Sequence, residues 1–262
     1  MTSIFAEPIV SPLPIVTLHG VALHPFTETQ TIDLIMDRLA KGRGGWVVTA
    51  NLDHIRRLVQ DKSYSRLCEP ADLIVADGMP LVWASRVQRT PLPERVAGSS
   101  LIWTLTGAAA RNRRSVFLLG GAPGTAERAA QIFRTKFPDL RIAGVHCPAI
   151  GFEKDSSAIA TITDLLRESK PDIIFVALGS PKQERLISQI RDLATSSWWI
   201  GVGISFSFVC GDVKRAPKWM QIMGLEWTHR LFQEPRRLAR RYLIDDLPFV
   251  FRLFFSVIRN RK

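Results

Sequence analysis

The stretch DIIFVALGSPKQE, residues 172–184, joins an apolar run to a glycine and then to a polar segment. The run DIIFVAL has the length and the β-branched content of a strand that is buried on both faces. Ser180 can cap the helix that follows, Pro181 suits its first position, and Gln183 completes a capping box. The stretch therefore predicts a buried strand, a tight turn and a helix that continues to Leu193.

The same alternation of strand and helix extends on both sides of this stretch. Further strands are predicted at residues 46–49, 71–76, 115–119, 141–145 and 198–202. Helices are predicted at residues 27–39, 53–61, 81–87, 100–111, 126–137, 156–169 and 220–231, and a short hairpin at residues 15–23. Strands that alternate with helices form right-handed βαβ units, so the sequence predicts an α/β fold with a parallel sheet flanked by helices.

The positive charge of the chain is concentrated in its last fifth. The 262 residues carry a formal net charge of +11, and residues 213–262, with twelve Lys and Arg against four Asp and Glu, account for +8 of it. Such a surface attracts nucleic acid, anionic lipid or phosphorylated substrates. We therefore expect two parts, a core over residues 1–212 and a basic C-terminal appendage over residues 213–262.

The appendage contains an apolar run, residues 247–258, that Arg252 interrupts. The run is shorter than the roughly 18 residues needed to span a bilayer. Basic, aromatic-rich helices of this kind often lie in the membrane interface. The alternative is a terminal helix that packs on its own domain, or on a second subunit of a homo-oligomer.

The cysteines and the first residues favour a cytoplasmic location. Cys68, Cys147 and Cys210 are few, odd in number and far apart, which suits a reducing compartment. The chain has no Lys or Arg before Pro8 and does not resemble a secretory signal. We therefore expect the protein inside the cell.

Four polar or glycine-rich segments follow predicted strands, at residues 49–51, 77–78, 120–125 and 179–184. Ligands of open parallel sheets bind beyond the carboxyl ends of the strands, so these segments predict a site. Gly120 and Gly121 begin a turn whose backbone N–H groups, with the next helix start, could seat a phosphate. A tight turn without a ligand is the alternative, since the motif departs from GxGxxG.

Asp77 follows the apolar run Leu73–Ala76, where a buried strand is expected to end. Burial in an apolar site raises the pKa of a carboxyl group, which can then act as a general base near neutral pH. Thr49, at the end of the neighbouring strand, could bind the same substrate or align the acid. Asp77 could instead cap the next helix or bind backbone amides in the turn.

The sequence predicts no metal and no cofactor. It lacks the Asp-x-Asp motif that holds a metal on a nucleotide-sugar diphosphate, and its five histidines have no ligand spacing. The charge of a departing diphosphate would then be stabilised by arginines and helix ends. Arg95, Arg215 and Arg230 are the candidates.

Seven blocks that run in order along nearly the whole chain resemble the WecG/TagA/CpsF glycosyltransferases, family 26. The blocks are VVTANLDH (47–54), ADLIVADGMPLV (71–82), LPERVAGSSL (92–101), VFLLGGAPGTAERAA (116–130), PDIIFVALGSPKQE (171–184), GVGISFSFVCGDVKRAPKWM (201–220) and GLEWTHRLFQEPRRLARR (224–241). The resemblance implies a Rossmann-like core and an appendage that docks on an anionic surface, the cytoplasmic face of the inner membrane. It also implies an inverting, metal-independent transfer of a sugar from a UDP-sugar to a polyprenyl-diphosphate-linked sugar.

The resemblance implies roles for individual residues as well. Asp77 corresponds to the catalytic base, and Thr49 to its neighbour in the active site. Substrate-binding residues are expected at Asn51, Gly78, Arg95, Gly120, Gly121, Gly179, Pro181, Lys182, Gln183 and Glu184. Contacts to the acceptor diphosphate or the membrane are expected at Arg215, Arg230, Arg236, Arg237 and Arg240.

The identity of the sugar is a further expectation. The TANLDHIRRL segment (49–58) is most similar to exopolysaccharide members of the xanthan type, which favours UDP-glucose and a β-1,4 link. The alternative is UDP-N-acetylmannosamine, or its uronic acid, transferred onto lipid-linked N-acetylglucosamine. The chain departs from the common family pattern in ways that concern the donor pocket, at Leu52, His54, Met79, Pro80 and Cys210.

Two interpretations come from other classes of protein. A nicotinamide-dependent oxidoreductase would need a GxGxxG fingerprint and a ribose-binding acid, which the sequence lacks. A basic module that binds membrane or nucleic acid without catalysis would account for the charge. The aromatic residues beside that charge, Phe249, Phe251, Phe254 and Phe255, suit lipid better than a groove that tracks phosphates, so we expect no nucleic-acid partner.

Overall fold

The computed structural model describes residues 13–259. Residues 1–12, and with them the prediction about a secretory signal, lie outside the described residues, as do residues 260–262. The strands are β1 (Val16–Leu18), β2 (Val21–Leu23), β3 (Gly45–Ala50), β4 (Leu73–Ala76), β5 (Ser115–Gly120), β6 (Arg141–His146), β7 (Ile173–Ala177) and β8 (Trp198–Gly201).

The helices alternate with these strands and then continue alone to the C-terminus. They are α1 (Glu28–Ala40), α2 (Leu52–Gln60), α3 (Lys62–Cys68), α4 (Met79–Val87), α5 (Gly98–Arg111), α6 (Thr125–Lys136), α7 (Ser156–Ser169), α8 (Lys182–Ile190), α9 (Ser205–Cys210), α10 (Lys218–Ile222), α11 (Glu226–Gln233), α12 (Pro235–Ala239) and α13 (Leu247–Arg259). A π-helical turn, Arg240–Asp246, joins α12 to α13.

Six strands form one parallel sheet in the order β4-β3-β8-β7-β5-β6. Every residue of β3, β5, β7 and β8 is buried, because the sheet is covered on both faces. β1 and β2 pair separately as an antiparallel hairpin. The predicted α/β fold with a parallel sheet flanked by helices is confirmed, and so is the hairpin.

Two apolar cores lie on the two faces of this sheet. Trp46 and Trp199 belong to one core, and Trp198 and Phe175 belong to the other. The adjacent residues Trp198 and Trp199 separate because successive side chains of a strand point to opposite faces.

The C-terminal helix α13 packs into the first core. Phe249, Leu253 and Val257 recur every four residues, are fully buried, and join Leu18 and Leu23 of the hairpin. This spacing places the three side chains on one face of the helix. Among the described residues, no helix, α13 included, is long and apolar enough to cross a membrane. The division of the chain at residue 212 stays a prediction.

Several helical segments differ from the sequence predictions: α3, α9 and α12 were not predicted, and the segment at residues 220–231 is divided. The prediction of a single helix over residues 220–231 is wrong, because the chain turns between α10 and α11 at Gly224. Gly224 has a φ of +65°, and a Cβ there would lie 2.6 Å from Cη2 of Trp83 and 2.8 Å from Cβ of Met79. The unpredicted helix α3 begins immediately after α2, because Asp61 ends one helix and caps the next.

Candidate active site

A cavity of about 430 Å³ opens beyond the carboxyl ends of β3, β4, β7 and β8. Thr49 and Asn51 line it at the end of β3, Asp77 and Gly78 after β4, and Gly179 after β7. The opposite wall comes from α11, α12, the π-helical turn and α13. Three of the four predicted strand-end segments therefore meet in one cavity, which the C-terminal helices complete.

Asp77 lies on the cavity wall beside the start of α5. Its Oδ2 accepts a hydrogen bond from the backbone N–H of Gly98 at 3.3 Å. A Cβ on Gly98 would lie 3.1 Å from Oγ1 of Thr49, so the two predicted catalytic side chains flank the same glycine. The side chain of Asp77 does not cap α4, whose N-cap is Gly78. The alternative role, binding a backbone amide, is realised at Gly98.

The environment of Asp77 makes it a better proton acceptor than an ordinary aspartate. Burial raises the pKa of Asp77, and the charge of Glu226 adds to this, while Arg95 and the N–H of Gly98 act in the opposite direction. Four carboxylates of the described chain line the cavity, and Asp77 is the one without an ion pair. The others are Asp53 with Arg56, Arg57 and Arg241, Glu226 with Arg95 and Arg215, and Asp246 with Arg56 and Arg241.

Three of the predicted arginines line the cavity: Arg95, Arg230 and Arg237. Nε of Arg230 is buried and has no hydrogen-bond partner among the described residues. Its guanidinium carbon lies 5.9 Å from the ring centroid of Phe208. A buried N–H without a partner is costly, so this arginine has an unused donor available to a ligand.

Other predicted basic residues lie outside the cavity. Arg236 and Arg240 are exposed, because the surface of α12 and the first residue of the π-helical turn face solvent there. Arg215 donates to Oγ of Ser100 at 2.9 Å and to the carbonyl of Ser99 at 3.3 Å. It therefore ties the C-terminal segment to the start of α5.

Gln183 lines the cavity, as expected of a substrate-binding residue, but it does not form the predicted capping box. The capping box is wrong: Ser180 contacts the hydroxyl of Tyr64 at 3.3 Å, and α8 begins without a side-chain cap. Oε1 of Gln183 accepts from the N–H of Gly203 at 3.1 Å, and Nε2 donates to Glu184 at 2.8 Å. Tertiary donors and acceptors therefore outcompete the local cap.

Glu184 lies behind the cavity wall, where burial would raise its pKa. Its carboxylate contacts Nε2 of His54 at 3.3 Å. Together with the hydrogen bond from Gln183, this contact outweighs the burial and lowers the pKa of Glu184. Glu184 is therefore ionised at neutral pH.

The remaining predicted substrate residues are elsewhere. Gly120 ends β5 and Gly121 follows it. In the sheet, β7 and β8 separate β5 from β3, and the N–H of Gly121 donates to the carbonyl of Ala177 at 2.7 Å. A Cβ on Gly121 would lie 2.5 Å from Oγ1 of Thr125, as in a tight turn. Pro181 precedes α8, and Lys182 is half-exposed in an ion pair with Glu153.

Several residues that line the cavity are absent from the sequence predictions. His54 was detectable, because it follows Asn51 by three residues at the start of a helix on a strand end. Arg241 was detectable as well, since Arg230, Arg237 and Arg241 are seven and four residues apart and so share a helical face. No sequence signal marked Tyr242 or Trp83. Within residues 13–259, no group of three or more His, Cys, Asp or Glu is placed to hold a metal ion.

Comparison with known proteins gives a consistent result. Residues 16–262 match the sequence model described as the glycosyl transferase WecG/TagA/CpsF family. The chain is similar to proteins named N-acetylglucosaminyldiphosphoundecaprenol N-acetyl-beta-D-mannosaminyltransferase. In Bacillus spizizenii the relative is 34% identical over 202 residues, 77% of this chain and 76% of the relative. In Bacillus subtilis the identity is 30% over 225 residues, 86% of each chain, and in Staphylococcus aureus strain MW2 it is 32% over 195 residues, 74% of each. The chain therefore belongs to the WecG/TagA/CpsF family of glycosyltransferases.

Proposed function

We propose that the protein transfers N-acetylmannosamine from its UDP derivative to N-acetylglucosamine linked to polyprenyl diphosphate, with inversion at the anomeric carbon. The names of its relatives favour this donor and acceptor, the alternative in the sequence analysis, over UDP-glucose and a xanthan-type product. The observation that carries the proposal concerns Asp77. Its pKa is raised, and it has no ion pair, whereas the other described acids that line the cavity are paired with arginines.

The reaction needs one base and a stabilised leaving group. The acceptor hydroxyl oxygen attacks the anomeric carbon, while the bond from that carbon to the diphosphate breaks and its electron pair leaves with UDP. The hydroxyl proton passes to the carboxylate of Asp77, and Thr49 orients the reacting groups. Arg230 and Arg237 stabilise the negative charge on the diphosphate. The two arginines thus take the role that a metal ion has in metal-dependent sugar transfer.

A membrane surface is part of the proposal, since a polyprenyl acceptor is held in one. Six apolar side chains of the π-helical turn and α13 are exposed, while the opposite side of α13 is buried. They are Leu243, Ile244, Leu247, Phe251, Phe255 and Ile258. Arg252 and Arg259 lie among them, and each Lys or Arg near an anionic leaflet contributes about 1 kcal/mol. This pattern supports peripheral docking on the cytoplasmic face of the inner membrane, and an oligomeric state stays a prediction.

The direct test is a substrate screen. UDP-N-acetylmannosamine, its uronic acid, UDP-N-acetylglucosamine and UDP-glucose are each incubated with prenyl-diphosphate-linked N-acetylglucosamine or glucose, and products are identified by mass. We expect a disaccharide with N-acetylmannosamine on N-acetylglucosamine and retention of the prenyl diphosphate. Preferential transfer of glucose onto the glucose-linked lipid would contradict the proposal and favour the xanthan-type alternative.

A further inference from the structure

A chain of five hydrogen bonds crosses the floor of the cavity. It links the π-helical turn, the start of α2, the start of α8 and the loop after β8. In order, its bonds join Arg241 Nη2 to Asn51 Oδ1 (3.3 Å), Asn51 Oδ1 to His54 Nδ1 (2.8 Å), His54 Nε2 to Glu184 Oε1 (3.3 Å), Glu184 Oε1 to Gln183 Nε2 (2.8 Å) and Gln183 Oε1 to the N–H of Gly203 (3.1 Å). His54 is the central member, and both of its ring nitrogens face an oxygen.

The first of these oxygens can only accept. The side-chain oxygen of Asn51 receives the backbone N–H of His54 at 3.3 Å and the guanidinium of Arg241 at 3.3 Å, both of which are donors without acceptor capacity. These two donors fix the orientation of the Asn51 amide, with its oxygen toward His54. Nδ1 of His54 must therefore carry a proton to make its 2.8 Å contact.

The second oxygen can only accept as well. Oε1 of Glu184 receives the amide N–H of Gln183 at 2.8 Å, and the N–H of Gly203 fixes the orientation of that amide by donating to its oxygen at 3.1 Å. The other oxygen of Glu184, Oε2, is buried without a hydrogen-bond partner among the described residues, so the carboxylate depends on the donors at Oε1. Nε2 of His54 must then also carry a proton. A buried carboxylate with a cationic partner costs less than one facing a neutral ring.

We propose that His54 is a positioning residue that, as an imidazolium, ties Asn51 to Glu184 and so fixes two polar walls of the donor pocket. The other ionisable groups around the ring are Asp53, Tyr64, Asp77 and Arg241. The role of the pocket rests on the proposed function, whereas the protonation of the ring does not.

The consequence for the pocket follows from geometry. Asn51 and Gln183 both line the cavity, and each is held through the bonds of this chain. A Cβ on Gly201 would lie 2.5 Å from Nε2 of Gln183, so the Gln183 amide is already confined on its other side. Loss of the central cation removes one bond from Asn51 and one from Glu184, the carboxylate that receives the Gln183 amide. A glutamine at position 54 does not reproduce the two opposed N–H groups of an imidazolium ring.

The first experiment measures the protonation of the ring. Protein labelled with nitrogen-15 in its histidines is examined by NMR at pH 7, and the His54 signals are assigned from His54→Gln. If that variant does not fold, they are assigned by elimination, with single substitutions of His19, His24, His146 and His229. Two N–H signals from one ring are expected, and they should collapse to one in Glu184→Gln. A single ring N–H in the wild-type protein would overturn the proposal.

The second experiment measures transfer. We expect His54→Gln to lower kcat/KM for the UDP-sugar about 10- to 100-fold, with a smaller change for the lipid acceptor. The matched control is His146→Gln, which alters a partly exposed histidine of β6, at the far edge of the sheet from β3. A folded His54→Gln protein with wild-type kcat/KM would overturn the positioning role. If no UDP-sugar is transferred at all, the proposed function fails while the two N–H signals remain.

Discussion

Asp77, the base of the proposed reaction, is an acid whose burial opposes folding and raises its affinity for a proton. Its pKa in the folded chain is raised, mainly by burial, above the value it has in the unfolded chain. At neutral pH an unfolded aspartate is ionised, so the raised pKa lowers the stability of the folded state, and this cost disappears once pH falls below the ordinary aspartate pKa. Active sites commonly retain such costs because the reaction needs the group.

Replacing Asp77 by asparagine separates these two effects. We expect Asp77→Asn to lower kcat by about 10²- to 10⁴-fold, the usual contribution of a general base. The melting temperature at pH 7 should stay equal or rise, and any gain should vanish as the medium is acidified. Asp139→Asn, a change at an exposed aspartate, is the control for both measurements. Near wild-type turnover in Asp77→Asn would remove the residue from the base role.

The pH dependence of transfer gives a second prediction. A base must be unprotonated, so kcat/KM should rise with pH as Asp77 loses its proton, at a pH above the range of an ordinary aspartate. Arg95 lowers the pKa of Asp77, and it also pairs with Glu226, which raises that pKa. Arg95→Gln should therefore move the acid limb of the profile to higher pH. The measurement is kcat/KM against pH for both proteins, and an unmoved limb would contradict the assignment.

At the scale of elements, the sheet was predictable and the C-terminal helices were only partly so. Runs such as DIIFVAL specify buried strands locally, and parallel strands bring their ends together, which is how Thr49 and Asp77 could be paired from sequence. The break at Gly224 depends on Trp83 and Met79, which contact it only in the fold. The π-helical turn places Arg241 on the cavity and leaves Arg240 exposed, so a contact of Arg240 with the acceptor or the membrane stays a prediction.

The turn at Gly224 can be tested with two alanine substitutions. Gly224 and Gly42 both have positive φ, +65° and +69°, so each substitution carries a similar backbone cost of about 1 kcal/mol. A Cβ at residue 42 meets no atom within 4 Å, whereas a Cβ at residue 224 collides with α4. We expect Gly224→Ala to lower the free energy of unfolding by about 1–3 kcal/mol more than Gly42→Ala, because of overpacking. Equal losses in urea denaturation would show that α4 and the turn are not rigidly packed.

At the scale of the whole molecule, α13 packs into the core with one face and exposes apolar side chains on the other. Phe249, Leu253 and Val257 are part of the core, while Phe251 and Phe255 are 69% and 71% exposed. The two sequence interpretations of this helix, docking on a membrane and packing on its own domain, are therefore compatible. Deleting the chain after residue 212 would remove core side chains together with the exposed face, so loss of activity in such a protein would not identify a membrane role.

Substitutions confined to the exposed face isolate that role. The double variant Phe251→Ser/Phe255→Ser should keep the melting temperature nearly unchanged, since surface changes usually alter stability by less than about 0.5 kcal/mol. It should lose flotation with anionic vesicles, because full burial of an aromatic or aliphatic side chain is worth about 1.5–3 kcal/mol. Transfer to a short, water-soluble prenyl acceptor should persist, while transfer to a long-chain acceptor in vesicles falls. Ile150→Ser, at a fully exposed isoleucine outside the C-terminal helices, should change none of these. Wild-type flotation of the double variant would show that this face does not bind the membrane.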